Sequence, residues 1–254
     1  MNKYLLAELK KLYKQKFFTL LFWLPILLTL FIGAAKTFNQ TSGFYIEQGS
    51  LTYMGEFTLL VSTSFGLFAA PLFISLLTDA DGKNDIDHYL RLRLSRPWII
   101  LNKITAVSII LLIQAVISYF FGLIEGYIAW KGAFDPRQLL SLPRMLLVCL
   151  VTNLAFMLIT FFIQQLVPRT YLGVLIAYGL FSMHGPAFLQ TLLGYPLRND
   201  LLYGGFPNAI NDPQFSTRAA FLGLNFPVAL LLMLAYLALL FLLCLLVLRR
   251  RYQK

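Results

Sequence analysis

Apolar positions along this chain gather into six long runs, each bounded by short polar segments. The runs are Phe17–Ala35, Phe57–Leu77, Ile104–Ile124, Met145–Val167, Tyr171–Leu193 and Phe226–Leu248, and none holds an Asp, Glu, Lys or Arg. At about 1.5 Å of rise per residue each would form a helix of roughly 30 Å, the thickness of a bilayer's hydrocarbon core. The pattern predicts an all-α polytopic membrane protein with six transmembrane helices, at 17–35, 57–77, 104–124, 145–167, 171–193 and 226–248. The segments between them are short, so residues 1–254 read as one transmembrane domain with no separate soluble catalytic domain.

The polar segments carry patterns of their own. In 1–16, Leu5, Leu9, Leu12 and Tyr13, with Leu6 beside them, recur at helical spacing, while Lys3, Lys10, Lys11 and Lys14 take the other side. Such a helix suits the membrane interface, its lysines toward the headgroups, and an orienting charged flank is the simpler alternative. Residues 36–56 form a polar loop with a glycosylation sequon at Asn39-Gln40-Thr41, a weak signal and an irrelevant one in a bacterium. The three residues Pro168-Arg169-Thr170 make the fourth and fifth spans antiparallel neighbours. The segment 194–225 is broken by Pro196, Gly204-Gly205, Pro207 and Pro213, so it predicts short helices that dip partway into the outer leaflet and pack against protein.

Composition and charge sharpen this picture. Hydrophobic residues make up 59% and charged residues 13%, outside the range of soluble domains. The net charge of +10 is unevenly placed. Fifteen of the Lys and Arg lie in 1–16, 78–103, 168–170 and after Leu248, and six lie in the alternate segments. That asymmetry places both termini in the cytoplasm and draws the protein to anionic headgroups of the lipid bilayer. With the charge so explained, nucleic acid is not an expected partner. Cys149 and Cys244 fall in apolar runs and read as small buried hydrophobes. Gly33-Ala34-Ala35 resembles a signal-peptidase site, but the long charged leader and Trp23-Leu24-Pro25 argue against cleavage.

The loop 78–103 holds the strongest functional signal. Its acids, Asp79, Asp81, Asp85 and Asp87, precede its bases, Arg91, Arg93, Arg96 and Lys103. Acids early and bases late both suit a helix macrodipole, so a short helix over 84–94 is expected. Ser95 then caps a second helix, with Pro97 in its first turn, that runs on into the third span. A charged helix along the membrane surface offers a docking face to a cytoplasmic partner; an ordinary solvated loop is the plain alternative.

The stretch Leu94-Ser95-Arg96-Pro97-Trp98-Ile99-Ile100-Leu101-Asn102-Lys103 resembles the Leu/Pro/Ile-Leu-x-x-Lys stretch of ABC type-2 export permeases. The plan of an amphipathic N-terminal helix, six spans, a charged helix between spans two and three and a broken outer loop is similar over nearly the whole chain. One departure is Ile86-Asp87-His88-Tyr89-Leu90-Arg91, where the family often has a Gly-Thr-Leu-Glu-type run. The resemblance implies that 78–103 couples to a cytoplasmic ABC ATPase subunit through Asp85, Asp87, His88, Tyr89, Arg91, Arg93 and Arg96. It implies a substrate pathway along spans two and five, through Thr58, Ser62, Gly66, Tyr178, Ser182, His184 and Gln190, at an interface with a second permease copy or homologue. Small-residue helix packing reads the same residues of span two equally well. The implied cargo is an amphipathic or hydrophobic molecule, with antimicrobial or toxin peptides first, then drugs or lipids. The competing class is an accessory or immunity protein that binds a peptide or lipid without transport.

The chain's own chemistry points away from catalysis. Its nearest approach to a phosphate loop is Gly82-Lys83, with Leu77 where the first glycine belongs and Asn84 in place of Ser or Thr. ATP and Mg would therefore sit on a partner subunit, and no cofactor or metal is expected here. The two histidines are His88 and His184, and no His-Glu-x-x-His or Gly-x-Ser-x-Gly pattern occurs. His184 precedes Gly185-Pro186, which fits hydrogen bonding at a helix kink or a place on a substrate path. Glu125, beside the Gly122/Gly126 pair, is read as interfacial or as a gating contact.

Overall fold

Charge-free apolar runs become helices because only a helix satisfies each N–H and C=O within one segment when no water is at hand. The computed structural model describes residues 3–38, 58, 69–78, 95–130, 142–166 and 226–251. Every element among them is helical: α1 (Lys3–Tyr13), α2 (Phe18–Phe38), α3 (Ala69–Thr78), α4 (Arg96–Trp130), α5 (Leu142–Leu166) and α6 (Phe226–Arg251). Two of these are long and apolar enough to cross a membrane, α4 over Pro97–Ile128 and α6 over Leu230–Leu248. Helices α2, α3 and α5 overlap the expected spans 17–35, 57–77 and 145–167. The expected span 171–193, the outer segment 194–225 and the loop residues 79–94 lie outside the described residues.

The start of α4 follows the Ser95-Arg96-Pro97 signal. Ser95 occupies the N-cap position, its carbonyl accepting from the N–H of Trp98 at 3.0 Å and of Ile99 at 3.2 Å. Pro97 falls in the first turn, where its missing N–H breaks no helical bond. From there the helix runs 35 residues without interruption, as the helix expected to run on into the third span, and residues 96–103 are its first two turns. This rod is the hub of the fold. It packs along α2, α1 and α5, and touches α6 at fewer points.

Between α1 and α2 the chain turns sharply at Lys14–Phe17. Lys14 N–H still reaches the Lys10 carbonyl at 3.1 Å, and Gln15 N–H closes a tighter turn on the Leu12 carbonyl at 3.0 Å. An aromatic cluster holds the elbow. Phe18 meets Tyr13 edge-on with ring centroids 5.7 Å apart, stacks on Phe22 at 5.8 Å and touches Phe73 of α3 at 6.0 Å, each pair adding roughly 0.5–1.5 kcal/mol beyond area burial. On α1, Leu12 is fully buried and Leu5 and Leu9 pack against the core, whereas Leu6 and Tyr13 stay exposed. The apolar stripe expected at the membrane interface is thus turned onto the core, where α1 packs along α4.

Among the described residues, the seam between α5 and α6 is the most extensive helix pair. Met233, Leu237, Leu240, Cys244 and Leu248 of α6 are buried at steps of four and three, and Val151, Ala155, Leu158 and Phe161 are buried along α5. Cys244 fits as a small hydrophobe, its Sγ donating weakly to the Leu158 carbonyl at 3.4 Å. The opposite face of α6, with Leu231, Leu239, Leu242 and Leu246, is left bare, as a helix bathed in lipid would be.

Candidate functional site

Among so many apolar contacts, the buried polar groups are the expensive ones, and they mark where the fold does something besides pack. The costliest lies where α1, α3 and α4 meet. Lys103, in the second turn of α4, is almost fully enclosed, with 3% of its side chain exposed. Its Nζ donates to the Leu77 carbonyl of α3 at 3.1 Å and stands 3.8 Å from Glu8 Oε2 of α1. Glu8, itself only 6% exposed in its side chain, accepts on Oε1 from Lys11 Nζ at 3.0 Å. The Lys103 ammonium thus ties α4 to a backbone carbonyl of α3 across the interior. Its charge is in turn balanced by Glu8. Removing one member of such a pair strands the other charge, at a cost of roughly 3–5 kcal/mol unless the site can open to water.

A second polar feature runs up α4. At roughly 100° per residue, Lys103, Gln114, Ser118 and Glu125 fall within about 60° of arc, one stripe along the rod. Gln114 is explained by α2. Pro25 lacks an N–H and leaves the Leu21 carbonyl without its helical donor. The Gln114 amide supplies it, donating to the Leu21 carbonyl at 3.1 Å and to the Phe22 carbonyl at 2.6 Å. Farther along the stripe Ser118 is wholly buried and its Oγ has no hydrogen-bond partner. Glu125 is half-buried, with Oε2 enclosed and without a hydrogen-bond partner among the described residues.

Helix α5 contributes a matching line. Asn153, Thr160 and Gln164 are buried within about 40° of arc. Thr160 Oγ1 donates back to the Phe156 carbonyl at 2.8 Å, the ordinary resort of a threonine inside a helix. Gln164 Nε2 donates to Ser75 Oγ, which ties α5 to α3 two residues before Leu77. The Gln164 Oε1 and Asn102 Nδ2 atoms are buried without partners. The polar groups thus link α1, α3, α4 and α5 through side chains rather than through loops. The arrangement holds helix ends together by charge and hydrogen bonding. Among the described residues, no group of three His, Cys, Asp or Glu is placed to hold a metal ion.

Of the residues expected to couple to an ATPase, Arg96 is the first residue of α4. Asp85, Asp87, His88, Tyr89, Arg91 and Arg93 lie outside the described residues. Of the expected pathway residues, Thr58 is helical and completely buried. Ser62, Gly66, Tyr178, Ser182, His184 and Gln190 are again outside them. Sequence reasoning missed Glu8, Gln114, Ser75 and Gln164, and treated Lys103 as one of the loop's positive charges and as the Lys of the stretch that resembles the permeases. A signal for Glu8 existed: it lies within about 40° of Leu12 on the helical wheel of α1, an acid on the apolar side. For Gln114 it was a lone amide in an apolar run, paired with an in-helix proline elsewhere. Compared with known proteins, the chain matches no protein-family model and no curated sequence.

Proposed function

We propose that this chain is the membrane permease subunit of an ATP-driven exporter, with six spans and both termini in the cytoplasm. Two such subunits, identical or homologous, pair with two ATPase chains that carry the ATP and Mg. The observation that carries the reading is α4: one unbroken helix that starts at Arg96, capped by Ser95 on the edge of the acid-then-base segment 79–94, and continues through a membrane-length apolar stretch. A rod of this kind moves as a unit, so a push on its charged end is delivered along its length. Closure of the ATPases presses on the 79–94 segment, tilts the spans that carry Thr58, Ser62, Gly66, Tyr178, Ser182, His184 and Gln190, and opens the pathway outward. The chain works by changing shape and makes no covalent bond. The cargo is an amphipathic or hydrophobic molecule, with membrane-active peptides ranked first.

The test is copurification followed by charge reversal. Solubilised from its native membrane, the chain is expected to bring down an ATPase subunit in stoichiometric amount. Arg91→Glu, Arg93→Glu and Arg96→Glu together are expected to abolish that association while leaving membrane insertion intact. Recovery of the wild-type chain alone, or an unaltered ATPase complex in the triple variant, overturns the proposal. The first of those outcomes favours an accessory protein that binds its ligand without transport.

A further inference from the structure

The fold leaves the outward side of α1 basic and without a balancing acid. Glu8 is the only acid in residues 1–16, and it is turned inward, where Lys11 at 3.0 Å and Lys103 at 3.8 Å take up its charge. Lys3, Lys10 and Lys14 fall within about 40° of arc on the exposed side. Lys10 and Lys14 are one turn apart, the Lys14 N–H still bonded to the Lys10 carbonyl at 3.1 Å, so their like charges repel at close range. Lys16 follows in the elbow and is exposed as well. The acids among the described residues are Glu8 and Glu125, and Glu125 lies near the far end of α4. An anion from outside the chain is what this cluster lacks.

The elbow sets that charge against an apolar surface. Gln15 N–H closes it on the Leu12 carbonyl at 3.0 Å, and Phe18 N–H on the Gln15 carbonyl at 2.9 Å. Directly after Lys16 the bare side of α2 begins: Phe17, Leu20, Leu27, Leu28 and Phe31 lie within about 100° of arc, and all are exposed. Tyr13, three-quarters exposed, stands where charge gives way to apolar surface, as aromatic side chains do at a membrane interface. With Leu5, Leu9 and Leu12 packed on the core, the side of α1 that faces outward meets its surroundings mainly by charge. We propose that the outer side of the α1–α2 elbow binds an anionic phospholipid, its phosphate on Lys10, Lys14 and Lys16 and its acyl chains along Phe17, Leu20 and Leu27. A zwitterionic headgroup brings a cation of its own into the cluster, so net negative charge is what the three ammonium groups select. The site depends on the membrane reading alone and needs no ATPase.

Native mass spectrometry of the purified full chain in detergent, titrated with phosphatidylglycerol or phosphatidylcholine, tests the site. The wild type is expected to bind phosphatidylglycerol about tenfold or more tightly than phosphatidylcholine, a preference that shrinks as ammonium acetate is raised. Lys14→Gln with Lys16→Gln is expected to cut the preference to about threefold or less, and Lys14→Arg with Lys16→Arg to keep it. Arg249→Gln with Arg250→Gln removes the same charge from the end of α6 and is expected to leave the preference unchanged. An equal loss in that control means a general field rather than a site, and overturns the proposal. A preference retained in the Lys14→Gln, Lys16→Gln chain overturns it too. So does displacement of the lipid by an equal concentration of glycerol phosphate, which means that the acyl chains are not held. Should the lysine variant keep its lipid preference but lose an associated ATPase, this face is a protein interface and the lipid site falls. A chain that shows the lipid preference and copurifies with no ATPase supports the site and sinks only the exporter reading.

Discussion

Single side chains decide whether this fold tolerates its own irregularities. Pro25 interrupts the hydrogen-bond ladder of α2, and Gln114 of α4 repairs it with both of its amide hydrogens. The two residues act as a pair, which a double-mutant cycle exposes. Gln114→Leu is expected to cost about 1–2 kcal/mol, because it leaves the Leu21 carbonyl buried without a donor. In a Pro25→Ala background the substituted alanine brings an N–H that satisfies that carbonyl, and the same change is expected to cost less by about 1 kcal/mol. Thermal or denaturant unfolding in detergent micelles measures both. Equal costs in the two backgrounds would show that Gln114 serves something other than the proline. None of this pairing was legible locally: the sequence displays an amide in one apolar run and a proline in another, 89 positions apart, with nothing to say that they face each other.

Among the elements, α4 carries the largest share of the architecture. Its start was legible from Ser95 and Pro97 because capping is a local matter of which N–H groups lack partners. Its run on into the third span was legible as well; the burial of Asn102 and Lys103 was not, since that depends on which helices pack against them. Continuity of the rod is testable at Thr105, which is exposed, so that no cavity or lost core contact confuses the result. Thr105→Pro removes one helical hydrogen bond and crowds the preceding turn, at about 3 kcal/mol. The expected outcome is a lowered melting temperature and, in an ATPase complex, loss of coupling with the association retained. Coupling preserved in a folded Thr105→Pro protein would mean that force travels by another helix. The amphipathic period of α1 was equally legible, but its destination was not: the stripe of Leu5, Leu9 and Leu12 found a helix to pack on.

At the scale of the whole molecule, charge placement sets orientation. Fifteen Lys and Arg in 1–16, 78–103, 168–170 and after Leu248, against six in the remaining segments, predict both ends of the chain on the cytoplasmic face. Reporter fusions check this: alkaline phosphatase joined after Gly43 is expected to be active, and joined after Lys254 inactive. The reverse result would invert every assignment of inside and outside, the proposed docking segment included.

The sequence by itself determined the helical class, the number and length of the apolar runs, the sense of the charge asymmetry and the first residue of α4. Each follows from composition or from neighbours a few positions apart, the range over which backbone hydrogen bonding and capping operate. Only the tertiary structure decided which polar side chains meet: Lys103 with Glu8 and the Leu77 carbonyl, Gln114 with Leu21 and Phe22, Gln164 with Ser75. Those meetings depend on how far each helix is rotated and shifted against its neighbour. That relation is set by packing of the whole bundle and has no signature in any one segment.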